Sequence, residues 1–160
     1  MADAAQVIGE VYRRNAERYG DKPAFIMPDG RARTFAQLYE RVQRLCAALH
    51  TCGLKSGDRV GILSRNRIEY VEAYGVSAGG LIALPLNWRL APRELQIVLE
   101  NARPSALIVD ASFVPVIEEM RAALPFVRRF IGFDGAATGF ESYETMLSDL
   151  EPTPDRKSVV

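Results

Sequence analysis

Arginines follow two short apolar stretches of the sequence that are typical of buried strands. In "ILSRNRIEY" they are Arg65 and Arg67, and in "PLNWRLAPREL" it is Arg89, which comes directly after Asn87 and Trp88. A guanidinium group has several N–H donors and forks onto phosphate oxygens. In an open parallel sheet, ligands lie outside the carboxyl ends of the strands, where free helix N-termini also attract anions. The two stretches therefore predict a local anion site.

The second stretch also has a purely structural interpretation. Asn87 would close a turn, Trp88 would pack against the protein, and Arg89 would pair with a carboxylate. Residue spacing alone favours this structural interpretation, and both interpretations stay open on the residues.

Other catalytic groups are scarce. The one histidine, His50, lies near the end of a predicted helix, where it suits the helix dipole better than catalysis. Two cysteines without a Cys-x-x-Cys pattern predict no zinc site, and neither common glycine-rich phosphate loop occurs. Glu118 and Glu119 are adjacent and fit a solvated helix face, and Ser64 is better placed to cap a helix than to act as a nucleophile. We predict no catalytic residue and no metal ligand.

Composition and charge limit the class of protein. The chain has 160 residues, 48% hydrophobic and 25% charged, which is typical of one soluble domain. Twenty Lys and Arg balance twenty Asp and Glu, so the global field attracts neither nucleic acid nor an anionic membrane. No apolar run approaches the roughly 18 residues of a membrane span, and the first residues do not resemble a signal peptide. With Cys46 and Cys52 too few for a disulfide framework, we expect a cytoplasmic protein.

Strand-like and helix-like stretches alternate along the chain. Thr34 and Gln37 predict a capping box on a long helix that ends near Cys52, Asn66 predicts the start of the next helix, and Pro92 suits the first turn of a third. This alternation predicts an α/β fold with a largely parallel sheet and helices on both faces. The predicted strands are 59–64, 81–86, 105–110 and 128–133, a hairpin is predicted around 28–30, and further helices are predicted at 112–124 and 143–150.

Residues 1–150 are predicted to form one subdomain. The last ten residues, "EPTPDRKSVV", are polar and include two prolines, so 151–160 are predicted to be a linker or a frayed tail.

Two long stretches carry a family resemblance. "GLKSGDRVGILSRNRIEYVEAYGVSAGG" and "PLNWRLAPREL", in this order and spacing, closely resemble the N-terminal subdomain of the adenylate-forming enzymes, which include acyl-CoA synthetases, aryl-CoA ligases, peptide-synthetase adenylation domains and luciferases. The resemblance runs from about residue 7 to residue 149. Members join a carboxylic acid to ATP with magnesium, releasing pyrophosphate, and the CoA ligases then pass the acyl group to CoA. In related CoA ligases the arginine of the "LN-x-RL" turn lies near the CoA phosphates, so the resemblance assigns Arg89 to a CoA phosphate.

The family's remaining machinery lies beyond the region that this chain covers. This machinery includes the Ser/Thr/Gly-rich phosphate loop, the acidic magnesium and ribose residues, the aromatic adenine platform and the distal lysine. We therefore expect a truncated N-terminal fragment of an acyl-CoA synthetase, whether the truncation is natural, a frameshift or deliberate. Alone, it is expected to be inactive and to bind ATP, Mg²⁺ and CoA weakly at most. A fatty acid is the expected substrate of the parent enzyme, with an aryl acid as the second choice.

Two alternatives remain. The chain could be a stand-alone, non-catalytic module that docks onto a synthetase or forms a homo-oligomer. An exposed apolar surface would favour the fragment, whereas a polar one would favour the module. A small nucleotide-binding regulator of the flavodoxin type would share the architecture, but the matching phosphate loop is missing.

Overall fold

The computed structural model describes residues 8–135 and 137–148. The predicted tail at 151–160 and the end of the last predicted helix lie outside these residues, so both stay predictions. The described helices are α1 (Ile8–Tyr19), α2 (Phe35–Thr51), α3 (Ile68–Tyr74), α4 (Pro92–Ala102), α5 (Val114–Met120) and α6 (Tyr143–Ser148). The described strands are β1 (Pro23–Ile26), β2 (Ala32–Thr34), β3 (Arg59–Leu63), β4 (Ile82–Pro85), β5 (Ala106–Val109), β6 (Arg129–Gly132) and β7 (Glu141–Ser142).

The central sheet has five strands in the order β4-β3-β5-β6-β7, and each neighbouring pair is parallel. β1 and β2 form a separate antiparallel hairpin. Its turn lies at the predicted place, since the Gly30 amide donates to the Met27 carbonyl at 2.9 Å. The predicted parallel sheet and the hairpin are both confirmed.

Helices cover both faces of the sheet because side chains alternate along each strand. In β5, Ala106 and Ile108 face one hydrophobic cluster, to which α2, α3 and α6 contribute. Leu107 and Val109 face a second cluster, to which α4 and α5 contribute. The predicted α/β architecture is therefore confirmed, with β5 buried on both sides.

The predicted start of α2 is confirmed, but that of α3 is wrong. The Thr34 hydroxyl accepts the Gln37 amide at 3.2 Å, and the Gln37 side chain accepts the Thr34 amide at 3.0 Å. α3 instead has Arg67 as its N-cap residue, in extended backbone and without a side-chain cap. Asn66 gains no capping box because the Glu69 carboxylate is held by the Arg67 guanidinium at 2.8 Å.

3₁₀ turns adjoin α3 and shorten the helix that was predicted at 112–124. α3 passes into a 3₁₀ turn at Gly75–Gly79, which ends at Gly80 with φ 76°. α5 begins only at Val114 because the Asp110 carboxylate accepts the Ser112 amide at 3.0 Å and starts a 3₁₀ turn. Within the described ranges, no helix combines the length and apolar character needed to cross a bilayer.

Candidate functional site

The parallel sheet brings the predicted arginines to one edge. Arg65 and Arg67 follow the carboxyl end of β3, and Arg89 follows that of the neighbouring β4. The Arg65 guanidinium carbon lies 5.2 Å from the centre of the Trp88 ring. The corresponding distance for Arg89 is 4.1 Å. The structure thus unites Arg65 and Arg89 on one indole ring, and we call Arg65, Trp88 and Arg89 the arginine–tryptophan cluster.

The turn after β4 holds this cluster in place. The Asn87 side-chain oxygen accepts the Arg89 amide at 3.1 Å, and the Asn87 carbonyl accepts the Leu90 amide at 3.2 Å. Trp88 is half-buried and packs on Phe113, with 6.4 Å between the ring centres. Asn87 therefore closes the turn and Trp88 packs, as the structural interpretation predicted.

The third part of that interpretation, a carboxylate partner for Arg89, is wrong for the described part of the chain. Among residues 8–135 and 137–148, neither Arg89 nor Arg65 has a carboxylate oxygen within 4.0 Å. Both arginines are exposed. Their two positive charges are consequently open to an anion from solvent.

Arg67 is held quite differently. Its guanidinium group donates to Glu69 at 2.8 Å and to Asp134 at 2.8 Å, and lies 3.6 Å from Asp110. Asp134 also accepts the Ala111 amide at 3.1 Å. Arg67 therefore ties together the segments that follow β3, β5 and β6, and its charge is already balanced.

Asp110 and Glu69, two of the carboxylates around Arg67, remain ionised at neutral pH. Burial acts to raise the pKa of Asp110, but hydrogen bonds from Ser112 and the charge of Arg67 outweigh it, so the pKa lies below its ordinary value. Burial likewise opposes the ionisation of Glu69, whose pKa is nevertheless lowered by its hydrogen bond from Arg67. These carboxylates neutralise Arg67 rather than a ligand.

Helix N-termini, which the sequence suggested as a second source of anion attraction, have a glutamate in the first turn at both α3 and α4. At α4, the Ala91 amide already donates to the Glu94 carboxylate at 2.9 Å. Glu69 lies in the first turn of α3. A carboxylate at a helix N-terminus weakens its attraction for an anion. The attraction at this edge therefore comes from the side chains of Arg65 and Arg89.

A shallow hollow of ≈ 220 Å³ lies beside β6 at the same edge. Asp134 is its only ionisable group among the described lining residues, and that carboxylate is bound to Arg67. The hollow is lined by Ala111, Val114, Gly132, Asp134, Gly135 and Ala137. It offers no free base and no free cation within the described lining.

The other residues considered from the sequence have structural roles. Ser64 caps no helix, contrary to the prediction, because its hydroxyl donates to the Arg65 carbonyl at 2.8 Å. The His50 ring nitrogens each lie 2.9 Å from a backbone carbonyl, of Leu54 and of Gly79. Both observations explain why neither side chain is poised for catalysis.

The thiols and the adjacent glutamates add no reactive group. Cys46 and Cys52 are free thiols, and burial raises the pKa of Cys46 to about 11. Glu118 pairs with Arg121 at 2.6 Å on the surface. Across residues 8–135 and 137–148, no group of three or more His, Cys, Asp or Glu side chains is arranged to hold a metal ion.

A buried carboxylate, Glu72, was missed by the sequence analysis. Its side chain is 0% exposed and accepts hydrogen bonds from Arg41 at 2.7 Å, Arg33 at 3.3 Å and Tyr143 at 3.2 Å. Burial, reinforced by the charge of Glu72, raises the pKa of Tyr143 well above its ordinary value. Glu72 occurs in an ordinary amphipathic helix pattern, so only the packing of α2, α3 and α6 identifies it. We call Arg33, Arg41, Glu72 and Tyr143 the Glu72 cluster.

Comparison with known proteins decides the family. The model of the AMP-binding enzyme family matches residues 12–157. The chain belongs to the AMP-binding enzymes. A long-chain-fatty-acid–CoA ligase of Thermus thermophilus is 34% identical over 118 residues, which are 72% of this chain and 22% of that relative. The chain thus spans about a fifth of the length of that relative.

Solved structures of AMP-binding enzymes agree with this assignment. A fatty acyl CoA synthetase of Mycobacterium tuberculosis superposes with a TM-score of 0.82 and 28% identity, over 96% of this chain and 30% of that chain. An anthranilate CoA ligase in complex with anthranoyl-AMP gives a TM-score of 0.85 and 28% identity, over 94% of this chain and 28% of that chain. The chain corresponds to the N-terminal subdomain of the adenylate-forming enzymes, as the resemblance implied.

Proposed function

We propose that this AMP-binding chain is the N-terminal part of an ATP-dependent acyl-CoA synthetase. In that reaction a carboxylate attacks the α-phosphate of ATP and releases pyrophosphate, and the CoA thiol then displaces AMP from the acyl-adenylate. The support is the family assignment together with relatives that are named CoA ligases. ATP, Mg²⁺ and CoA are the groups that such an enzyme uses.

The proposed contribution of this chain is a contact with a CoA phosphate through Arg89. One observation carries the proposal: Arg89 is exposed at the carboxyl edge of the sheet, stacked on Trp88, and has no carboxylate partner in the described part of the chain. A guanidinium held in this way keeps its hydrogen-bond donors available for phosphate oxygens.

The chain alone is proposed to be inactive and to hold ATP, Mg²⁺ and CoA weakly. Its described residues present neither a metal-binding group nor a free base at the sheet edge. The acyl substrate is proposed to be a medium- or long-chain fatty acid, in line with the names of the relatives, with an aryl acid as the alternative. The cytoplasmic location stays a prediction.

Self-association of the pure chain distinguishes a part of a larger enzyme from a stand-alone module. Ile26, Ile97 and Ile82 are 69%, 52% and 46% exposed. They belong to three different elements, β1, α4 and β4, and single exposed apolar side chains are ordinary on a protein surface, whereas a contiguous apolar patch marks a contact with further protein. If the pure chain stayed monomeric at high concentration and did not bind an apolar fluorescent probe, the result would favour the stand-alone module over the fragment.

The decisive test places Arg89→Ala in a complete acyl-CoA synthetase that has this chain as its N-terminal subdomain. We expect pyrophosphate exchange with ATP and acid to be unchanged, while KM for CoA rises about 10-fold or more, since one charge-assisted hydrogen bond contributes about 1.5–3 kcal/mol. An unchanged KM for CoA in an active variant would overturn the role of Arg89. Pyrophosphate release by the 160-residue chain alone would overturn its proposed inactivity.

A further inference from the structure

Sheet register explains why Arg65 meets Trp88. β3 and β4 are parallel neighbours, and Ile62 lies opposite Pro85. Arg65 and Trp88 each come three residues later in the chain, so the two side chains leave adjacent strands at the same level. The contact between β3 and β4 therefore assembles the arginine–tryptophan cluster from two separate segments of the sequence.

The charges of this cluster are uncompensated, in contrast to their surroundings. Arg67, two residues after Arg65, is bound by the carboxylates of Glu69 and Asp134. Arg65 and Arg89 have no such partner in the described part of the chain. The indole ring attracts both guanidinium groups but carries no net charge, so their mutual repulsion remains. Binding of an anion between them would relieve that repulsion.

We propose that Arg65 is a second phosphate-binding residue and that Arg65 and Arg89, held on Trp88, together bind a phosphomonoester dianion. A phosphomonoester concentrates a charge of about −1.5 to −2 on one phosphate at pH 7, whereas the pyrophosphate linkage of CoA spreads its negative charge over two phosphoryl groups. Two guanidinium groups on one indole ring match the concentrated charge of the monoester. The inference rests on the proposed function, in which the ligand is the terminal phosphomonoester of CoA rather than its pyrophosphate linkage.

The two guanidinium groups share one indole ring as their neighbour. Their carbons lie 5.2 Å and 4.1 Å from the ring centre. Both side chains are exposed, and exposed side chains change rotamer within nanoseconds, so each can turn a donor towards a shared phosphate. The carboxylate of Glu94 is bound to the Ala91 amide at 2.9 Å, so it does not take either guanidinium.

Trp88 is the only tryptophan of the chain, so its fluorescence reports on this cluster alone. The experiment titrates the pure chain with CoA and with dephospho-CoA, which lacks the phosphomonoester. We expect the wild-type chain to bind CoA, at millimolar concentrations, about 10-fold or more tightly than dephospho-CoA. Arg65→Ala is expected to remove most of this preference while leaving the affinity for dephospho-CoA nearly unchanged.

Arg103→Ala is the matched control. Arg103 is also an exposed arginine stacked on an aromatic ring, 4.7 Å from the centre of Phe126, but it precedes β5 and so lies at the opposite edge of the sheet. The variant makes the same change in net charge and is expected to keep the preference for CoA. A loss as large as that of Arg65→Ala would mean that overall charge sets the preference, and would overturn the inference.

The remaining outcomes separate this inference from the proposed function. If Arg89→Ala weakens CoA binding and Arg65→Ala does not, the assignment of Arg65 as a second phosphate-binding residue is wrong, while the proposed role of Arg89 stands. Equal affinity of the wild-type chain for CoA and dephospho-CoA would overturn the proposal that the phosphomonoester is the bound group. No fluorescence change of the pure chain up to millimolar CoA, or equal kcat/KM values for CoA and dephospho-CoA in the complete synthetase, would likewise overturn the phosphomonoester site. The proposed role of Arg89 is decided separately, by the KM for CoA of the Arg89→Ala synthetase.

Discussion

The buried hydroxyl of Tyr143 donates to the carboxylate of Glu72 across 3.2 Å. Tyr143 begins α6 and Glu72 lies in α3, so this bond joins the last described helix to the middle of the chain. Arg41 of α2 bonds the same carboxylate at 2.7 Å and also bonds Glu144 at 2.6 Å. The Glu72 cluster therefore connects three helices on one face of the sheet through buried charge.

Tyr143→Phe removes a hydrogen bond to a charged acceptor. We expect it to lower the free energy of unfolding by about 1.5–3 kcal/mol, because a buried carboxylate loses a donor. Tyr12→Phe is the matched control, since the Tyr12 hydroxyl donates to the neutral Val71 carbonyl at 2.8 Å. That change is expected to cost about 0.5–1.5 kcal/mol. Urea unfolding of the three proteins measures the difference, and a larger loss for Tyr12→Phe would contradict the importance of the Glu72 cluster.

Stability is predicted to fall in alkaline solution through Tyr12. Burial, followed by the negative charges that Tyr74 and Glu72 can carry, raises the pKa of Tyr12 to about 12. The unfolded chain releases this proton near pH 10, so the contribution of Tyr12 is complete below about pH 10 and is lost as pH rises towards 12. Urea midpoints measured across this range should fall less steeply for Tyr12→Phe than for the wild type. Parallel curves would show that Tyr12 does not contribute.

Gly75→Ala tests the contact between α2 and the 3₁₀ turn. A Cβ atom at Gly75 would lie 2.6 Å from Val42 Cγ2, although its φ of −70° suits alanine. We expect a loss of about 1–3 kcal/mol from overpacking. In a Val42→Ala background the same change should cost much less, because the space is then free. Urea unfolding of the wild type, the two single variants and the double variant measures this double-mutant cycle. Additive losses of stability would show that the two positions do not compete for space.

Asp134→Ala is predicted to loosen the sheet edge at Arg67. The Asp134 carboxylate binds both the Arg67 guanidinium and the Ala111 amide. Its removal should therefore speed hydrogen exchange at Ala111 without changing exchange in the core of β5. Glu40→Ala, which breaks a surface pair with Arg44 on α2, is the control and should leave Ala111 unchanged. Unaltered exchange at Ala111 in Asp134→Ala would disprove the connection.

The sequence predicts the sheet well because burial on both faces leaves a strong pattern. The stretch "SALIVD" is continuously apolar, and β5 is buried at each of its positions. The capping box of Thr34 and Gln37 was also predictable, since both partners lie within four residues. Local chemistry and burial thus account for most of the fold, including the placement of Arg65 and Arg89 at one edge.

Long-range pairing explains what the sequence does not show. Asn66 has the pattern of a cap, but Glu69 binds Arg67 instead. β7 has only two residues and depends on its register with Ile131 and Gly132, so no periodicity marks it. Arg65 and Arg89 contact the same Trp88 ring because β3 pairs with β4. The local spacing of residues does not predict that pairing.

β5 contributes to both hydrophobic clusters within four residues. Insertion or deletion of one residue in this strand would exchange the faces of Leu107 and Ile108, and both helical layers would lose their contacts together. A change in β5 is therefore expected to weaken both helical layers at once. β3, whose carboxyl end leads to Arg65, is the direct neighbour of β5, so the same change is expected to disturb the arginine–tryptophan cluster.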